Sequence, residues 1–230
     1  MEKLKNMNEK LIDAFSSSRC PICLMLREKE FNELCNWVVQ SGDEHKNSSN
    51  RIELLFSGGF CNNHFWEFQK LSTYYGSASI SAQLIERILK IFERYNYQYF
   101  HDFLRQRNGD ANIWSIEENS YCPVCREMKR NGEEYLKELT RILENEEFQK
   151  KYLKGCGLCI PHWLKCMYYV ENESIAKFLM ETQITQLKKI KENAISFIHK
   201  KKPPLRWQQT EDEKCSWFKA IEKIVGRIGA

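Results

Sequence analysis

The sequence of 230 residues predicts an all-α protein of two duplicated halves, each clipped by a metal site of three cysteines and one histidine, with one further helix at the C-terminus. Two observations carry this. Cys20-Pro-Ile-Cys23 followed by Gly59-Phe-Cys61-Asn-Asn-His64 recurs as Cys122-Pro-Val-Cys125 followed by Gly157-Leu-Cys159-Ile-Pro-His162. No stretch alternates apolar and polar residues with the period of two that a half-buried strand requires.

The duplication has a fixed register. Adding 98 to a first-half position gives its counterpart, Cys61 to Cys159, His64 to His162 and His101 to His199, and apolar positions follow, as with Leu89 and Leu187. Upstream the offset is 102, because Cys20 pairs with Cys122. The four-residue difference falls in the polar stretch Ser41 to Asn50.

Within the first half, Pro21 suits the first turn of a helix, where its missing N–H is not needed. Leu24, Phe31, Leu34 and Val38 then form a stripe at helical spacing. Gly42 ends that helix. In the second half Pro123 takes the same place, and Met128, Tyr135, Leu139 and Ile142 form the stripe. Gly58-Gly59, and Gly155 with Gly157, mark tight turns before each CxxH, and Pro161 presets the helix carrying His162. Long helices, Ser79 to Arg105 and Ser174 to Lys202, close the halves, the second burying Leu187, Ile190, Ala194 and Phe197. Beyond Pro203-Pro204, Trp217, Ile221, Ile224 and Val225 predict a last amphipathic helix whose apolar face must pack somewhere. The expected division is 1–107 for the first repeat, 108–120 for a linker, 121–202 for the second repeat and 203–230 for the C-terminal segment.

Composition bounds the function. With 42% hydrophobic and 29% charged residues the chain is globular. A net charge of +4 is too mild for a dedicated nucleic-acid binder. Charged residues interrupt Met1 to Phe15, so no secretory signal is read there, and no apolar run is long enough to span a bilayer. The expectation is a cytoplasmic protein whose ten cysteines stay reduced, which favours metal binding over a disulfide framework.

The spacing has a chemical reason. A CxxC in the first turn of a helix brings two sulfurs to one side, where exposed N–H groups and the helix dipole favour thiolates. CxxH at another helix start adds a sulfur and an imidazole. The candidate ligands are Cys20, Cys23, Cys61 and His64 in one half and Cys122, Cys125, Cys159 and His162 in the other. Four protein donors close a tetrahedral shell, the mark of structural zinc, so two zinc ions are the expected cofactors. Iron–sulfur clusters are the alternative that ligand type leaves open.

The twin CPxC and GxCxxH signatures, with Trp217-Phe-Lys-Ala-Ile-Glu-Lys-Ile-Val-Gly226, resemble an uncharacterised bacterial family classed as a domain of unknown function. The resemblance spans nearly the whole chain. It implies the same eight ligands and no reaction.

The remaining chemistry-bearing residues read plainly. Cys156 is a bystander thiol, because its first-half equivalent is Gly58. Cys35, Cys166 and Cys215 read as buried small hydrophobes. His101 and His199 suit helix ends. Tyr95, Tyr97, Tyr99 and Phe100 read as core rather than as a base-stacking platform, and Lys200 to Lys202 as a solvated helix end. Walker, GxSxG and HExxH elements are absent. The function expected is therefore a zinc-stabilised, non-enzymatic module that binds another protein. A redox protein, through clusters or oxidisable zinc thiolates, is the alternative; an enzyme using a zinc that sheds a ligand, with His101 and His199, is a third reading.

Overall fold

The structure is a computed structural model and describes residues 2–40, 59–106 and 122–226. Among these residues it is all-α, with no strand. In chain order the helices are α1 (Glu2–Phe15), α2 (Pro21–Gln40), α3 (Asn62–Leu71), α4 (Tyr74–Arg94), α5 (Tyr97–Gln106), α6 (Pro123–Ile142), α7 (Glu146–Lys154), α8 (Ile160–Tyr169), α9 (Glu173–His199), α10 (Glu211–Lys214) and α11 (Ser216–Val225). A 3-10 turn, Leu205–Gln208, precedes α10. No described helix is long and apolar enough to cross a membrane. The polar stretch Ser41 to Asn50, the end of α2 expected at Gly42, and the linker 108–120 lie outside the described residues.

Two compact units result: Met1–Glu28 with Asn131–Ala230, and Lys29–Arg130. The division falls inside α2 and α6.

In the first unit α1 packs on α7. Leu11 and Phe15 are buried, and Phe15 meets the Tyr152 ring edge-on with centroids 5.4 Å apart. The Tyr152 hydroxyl accepts from the Leu158 N–H at 3.1 Å, fixing the loop just before Cys159. The Cys156 N–H donates to the Ser17 carbonyl at 3.2 Å, which joins that loop to the one leading into Cys20. Gly155 permits this approach, since a Cβ there would run into the Phe15 carbonyl oxygen. Helix α9 packs against α10 and α11, and α11 also touches α8.

In the second unit Leu34, Trp37, Phe60, Phe68, Ile80, Leu84 and Val124 form one buried cluster. Each such side chain taken from water contributes roughly 1.5–3 kcal/mol. Phe60 sits between the Trp37 and Phe68 rings, at 5.8 and 5.2 Å. The cluster therefore anchors the residue immediately before Cys61.

Four sequence expectations change. The stripe on α2 is shifted, because Phe31 is exposed while Ile22, Leu26, Glu30, Leu34 and Trp37 are buried. Ser79 to Arg105 is two helices, interrupted where Tyr95 is extended and the Asn96 side chain accepts from the Tyr99 N–H at 2.9 Å. Side-chain capping by Asn offers the backbone a local alternative to the helix. Tyr97 and Tyr99 are exposed, so the aromatic run is not core; Tyr95 and Tyr99 stack on each other at 4.4 Å. Most consequentially, α11 turns its apolar face outward. Trp217, Ile221, Ile224 and Val225 are 52–65% exposed, whereas Lys223 is 4% exposed.

The reason lies at Lys223. Its ammonium donates to the Cys156 carbonyl at 2.8 Å, to Gln183 Oε1 at 3.0 Å and to Gln186 Oε1 at 2.8 Å. Burial pulls its pKa down to about 8, against the raising influence of the Cys156, Cys20 and Cys159 sulfurs. A buried amine fully supplied with acceptors sets the rotation of α11, and the apolar stripe follows it outward.

Candidate metal centres

Each ligand begins at a helix start. The Cys20 and Cys122 carbonyls accept from the Leu24 and Arg126 N–H groups at 3.1 and 3.0 Å, so each CPxC opens the first turn of α2 or α6. Cys61 and Cys159 are the N-caps of α3 and α8, with extended backbones and no side-chain cap bond, which leaves their sulfurs available. Two residues before each of them stands a glycine with positive φ, Gly59 at 84° and Gly157 at 65°. These positions require glycine both for backbone and for space. A Cβ on Gly59 would lie 2.9 Å from Leu84 Cδ1, and one on Gly157 would collide with the Gln186 side chain.

All eight predicted ligands come together, in two groups, and the pairing departs from the sequence expectation. The first group is Cys20, Cys23, Cys159 and His162; the second is Cys61, His64, Cys122 and Cys125. Each CxxC is thus closed by the CxxH of the other half. Within a half the CxxC and CxxH do not share a centre. The first group belongs entirely to the first compact unit and the second to the other.

In the first centre His162 Nδ1 lies 3.7, 3.4 and 3.2 Å from the sulfurs of Cys20, Cys23 and Cys159, and the Cys23 and Cys159 sulfurs are 3.8 Å apart. In the second, His64 Nδ1 lies 3.2, 3.4 and 3.3 Å from Cys61, Cys122 and Cys125, with Cys61 and Cys125 sulfurs 3.7 Å apart. Every ligand atom of a group is within 4.8 Å of the others. The donor set fits one cation.

Electrostatics agree with that fit. Crowding raises the thiols' proton affinity at the first centre: Cys20 goes well up through burial and then through Cys159 and Cys23. Cys159 rises to about 11, where the lowering hydrogen bond to Cys20 is outweighed by Cys23 and burial. At the second centre the Cys125 hydrogen bond takes Cys122 down to about 4, burial opposing and His64 assisting, and Cys125 is pushed up by Cys122. Burial lowers His64, yet Cys122 and Glu30 outweigh it and carry the imidazole up to about 10. A divalent cation at the centre of such a set reverses the repulsion among thiolates and takes the place of the shared protons.

The centres differ in their surroundings. Cys20, Cys23, Cys159 and His162 are all buried, whereas Cys61 and Cys122 are half-buried and Cys125 is exposed. His64 Nε2 meets Glu30 Oε1 at 2.9 Å, and Glu30 is 2% exposed. That carboxylate–imidazole pair is the usual orienting partner of a metal-bound histidine, and composition of the motif alone did not reveal it. Its sequence signal is position: Glu30 lies two turns after Cys23, on the buried face of the ligand helix. Its counterpart at the 102-residue offset is Gly132. At the first centre the nearby charge is instead the Lys223 ammonium, and the C-terminus of α11 closes over the sulfurs. A Cβ on Gly226 would sit 3.6 and 3.8 Å from those of Cys159 and Cys23.

The other candidates stay outside both centres. Cys156 lines a cleft of about 280 Å³ with Arg19, Cys20, Cys159, Lys189 and Lys223, and burial lifts its thiol to about 11. Cys166 is buried and lifted to about 12. Cys35 is half-buried, and Cys215, expected inside, is exposed at the N-cap of α11. His101 and His199 are exposed and belong to neither group.

A family model described as a family of unknown function, DUF6062, matches residues 2–230. The chain belongs to this family. No curated protein and no solved structure matches it. Membership of DUF6062 brings no assigned chemistry.

Proposed function

We propose that this DUF6062 protein binds two zinc ions as structural clips and that the frame they hold serves as a non-enzymatic protein-interaction module in the cytoplasm. The donor geometry carries the metal assignment. A tetrahedral zinc with its ordinary bond lengths spaces sulfurs about 3.8 Å apart and sulfur from nitrogen about 3.5 Å apart; the sulfur–nitrogen distances at the two centres run from 3.2 to 3.7 Å, one sulfur pair in each lies 3.7 or 3.8 Å apart, and all donors of a group are within 4.8 Å. An iron–sulfur cluster divides the four donors among two or four iron atoms, which spreads them wider than around a single ion. Four protein donors also leave no open position for a substrate. The interaction role is supported by α11, whose outward row of Trp217, Ile221, Ile224 and Val225 is an apolar patch on a charged protein.

The test is metal analysis with spectroscopy. Anaerobically purified protein is expected to be colourless, to contain two zinc ions per chain, and to lose most of its helical circular dichroism when a strong chelator removes them. Structural zinc contributes on the order of 10 kcal/mol to folding. Iron, visible absorption, or a spectrum unchanged after complete metal removal defeats the proposal.

A further inference from the structure

The two centres are built from the same donors yet differ in every feature that governs the reactivity of a bound thiolate. Exposure is the first: Cys125 is exposed, whereas Cys23 and Cys159 are 1% exposed and Cys20 is 7%. Charge is the second. Three thiolates, a neutral imidazole and a divalent ion sum to one negative charge. A buried carboxylate, Glu30, sits on the distal nitrogen of His64 at the Cys61/His64/Cys122/Cys125 centre, whereas the buried charge beside the other is the Lys223 ammonium, held on the Cys156 carbonyl. Electron density on sulfur follows those charges, since a carboxylate on the distal nitrogen raises ligand basicity. Shielding is the third: α11 ends over the first centre at Gly226.

From these differences we propose that Cys125 is a modification site, a metal-bound nucleophilic thiolate that reacts with soft two-electron electrophiles, hydroperoxides and alkylating agents, while the Cys20/Cys23/Cys159/His162 centre remains inert. The proposal rests on metal occupying both centres. With a hydroperoxide ROOH, the Cys125 sulfur attacks the terminal oxygen; the O–O bond breaks, RO⁻ leaves, and Cys125 becomes a sulfenic acid. Cys61, whose sulfur lies 3.7 Å away, then attacks the Cys125 sulfur. The S–O bond breaks, hydroxide leaves, and a Cys61–Cys125 disulfide remains. Two thiolates are oxidised by two electrons and the peroxide is reduced to an alcohol and water after protonation. The centre has then lost two of its four donors and no longer retains its ion. Thiolate character and access are what select a cysteine for this chemistry. The rival route is the cleft beside the first centre, which reaches Cys20 and Cys159.

The experiment treats the full-length two-zinc protein with one equivalent of hydrogen peroxide, and separately with N-ethylmaleimide. Released zinc is followed with a colorimetric chelator and modified cysteines by peptide mass spectrometry. The expected result is release of one ion per chain, with Cys61 and Cys125 oxidised, Cys125 the first of the six clustered cysteines to be alkylated, and Cys20, Cys23 and Cys159 unmodified at that stage, the exposed Cys215 outside both groups serving as the free-thiol reference. E30Q is expected to slow Cys125 alkylation about 10-fold, with E30D restoring most of the rate. Release of both ions at equal rates, or first modification among the clustered cysteines at any residue other than Cys125, or at Cys156 in the cleft, overturns the assignment and leaves the metal centres standing. Protein that contains no metal before treatment overturns both. Because alkylation by N-ethylmaleimide is read at Cys125 directly, the result does not depend on a variant that folds poorly.

Discussion

Glu213 illustrates how one carboxylate joins elements that sequence keeps apart. It accepts from Lys200 Nζ at 2.8 Å and from the Ser196 hydroxyl, both at the end of α9, and from the Thr210 N–H in a capping box that starts α10. These partners, Lys200 first, hold its carboxyl down at about 2, against an ordinary value of 4.5. The unfolded chain therefore takes up the proton more readily than the folded one. Glu213 contributes its full stabilisation above pH 4.5, and that contribution is lost as pH falls towards 2. The melting temperature of the wild-type protein should exceed that of E213Q at neutral pH, and the gap should narrow across this acid range in thermal melts by circular dichroism. A gap independent of pH would show that the carboxylate's ionisation is not what stabilises. At this scale the eight clustered residues were legible because Cys and His at these spacings serve few other purposes. Glu30 and Lys223 were not, since a lone charge on a helix is solvated far more often than buried.

Among elements, the starts were easier to read than the continuations. Pro21, Pro123, Pro161 and the two positive-φ glycines fix helix starts and turns by local sterics, and the structure places them there. The break at Tyr95, the rotation of α11 and the pairing of the centres are set by partners distant in sequence. Periodicity groups Trp217 and Ile221 on one apolar face without naming what it packs on; three oxygen acceptors for Lys223 turn that face outward. Pairing was unreadable because both CxxC motifs are equally good matches for either CxxH. It makes a sharp prediction. The double variant C23S/C159S removes two donors from one centre and should retain one zinc per chain, whereas C23S/C61S damages both centres and should retain little. Pairing within halves gives the reverse outcome, and zinc stoichiometry by mass spectrometry distinguishes them.

For the molecule as a whole, the all-α class and the number of centres could be read from the motif and its register, while the compact units could not. Each unit draws on both halves of the sequence, taking the start of one CPxC helix and the CxxH of the other half. A fragment of residues 1–107 carries one CxxC and one CxxH, yet in this architecture those motifs serve different ions. The fragment should be an open monomer without zinc and should self-associate two-to-two with it, as sedimentation velocity with and without metal would reveal. A monomeric fragment holding one ion tightly would contradict the exchange of ligands.

That crossing also bears on the order in which the chain can assemble. A chain made from its N-terminus completes the Cys61/His64/Cys122/Cys125 group at Cys125, but leaves Cys20 and Cys23 without their partners until Cys159 and His162 have followed. The earliest thiols are thus the last to be enclosed, and the group they join is the more buried of the two.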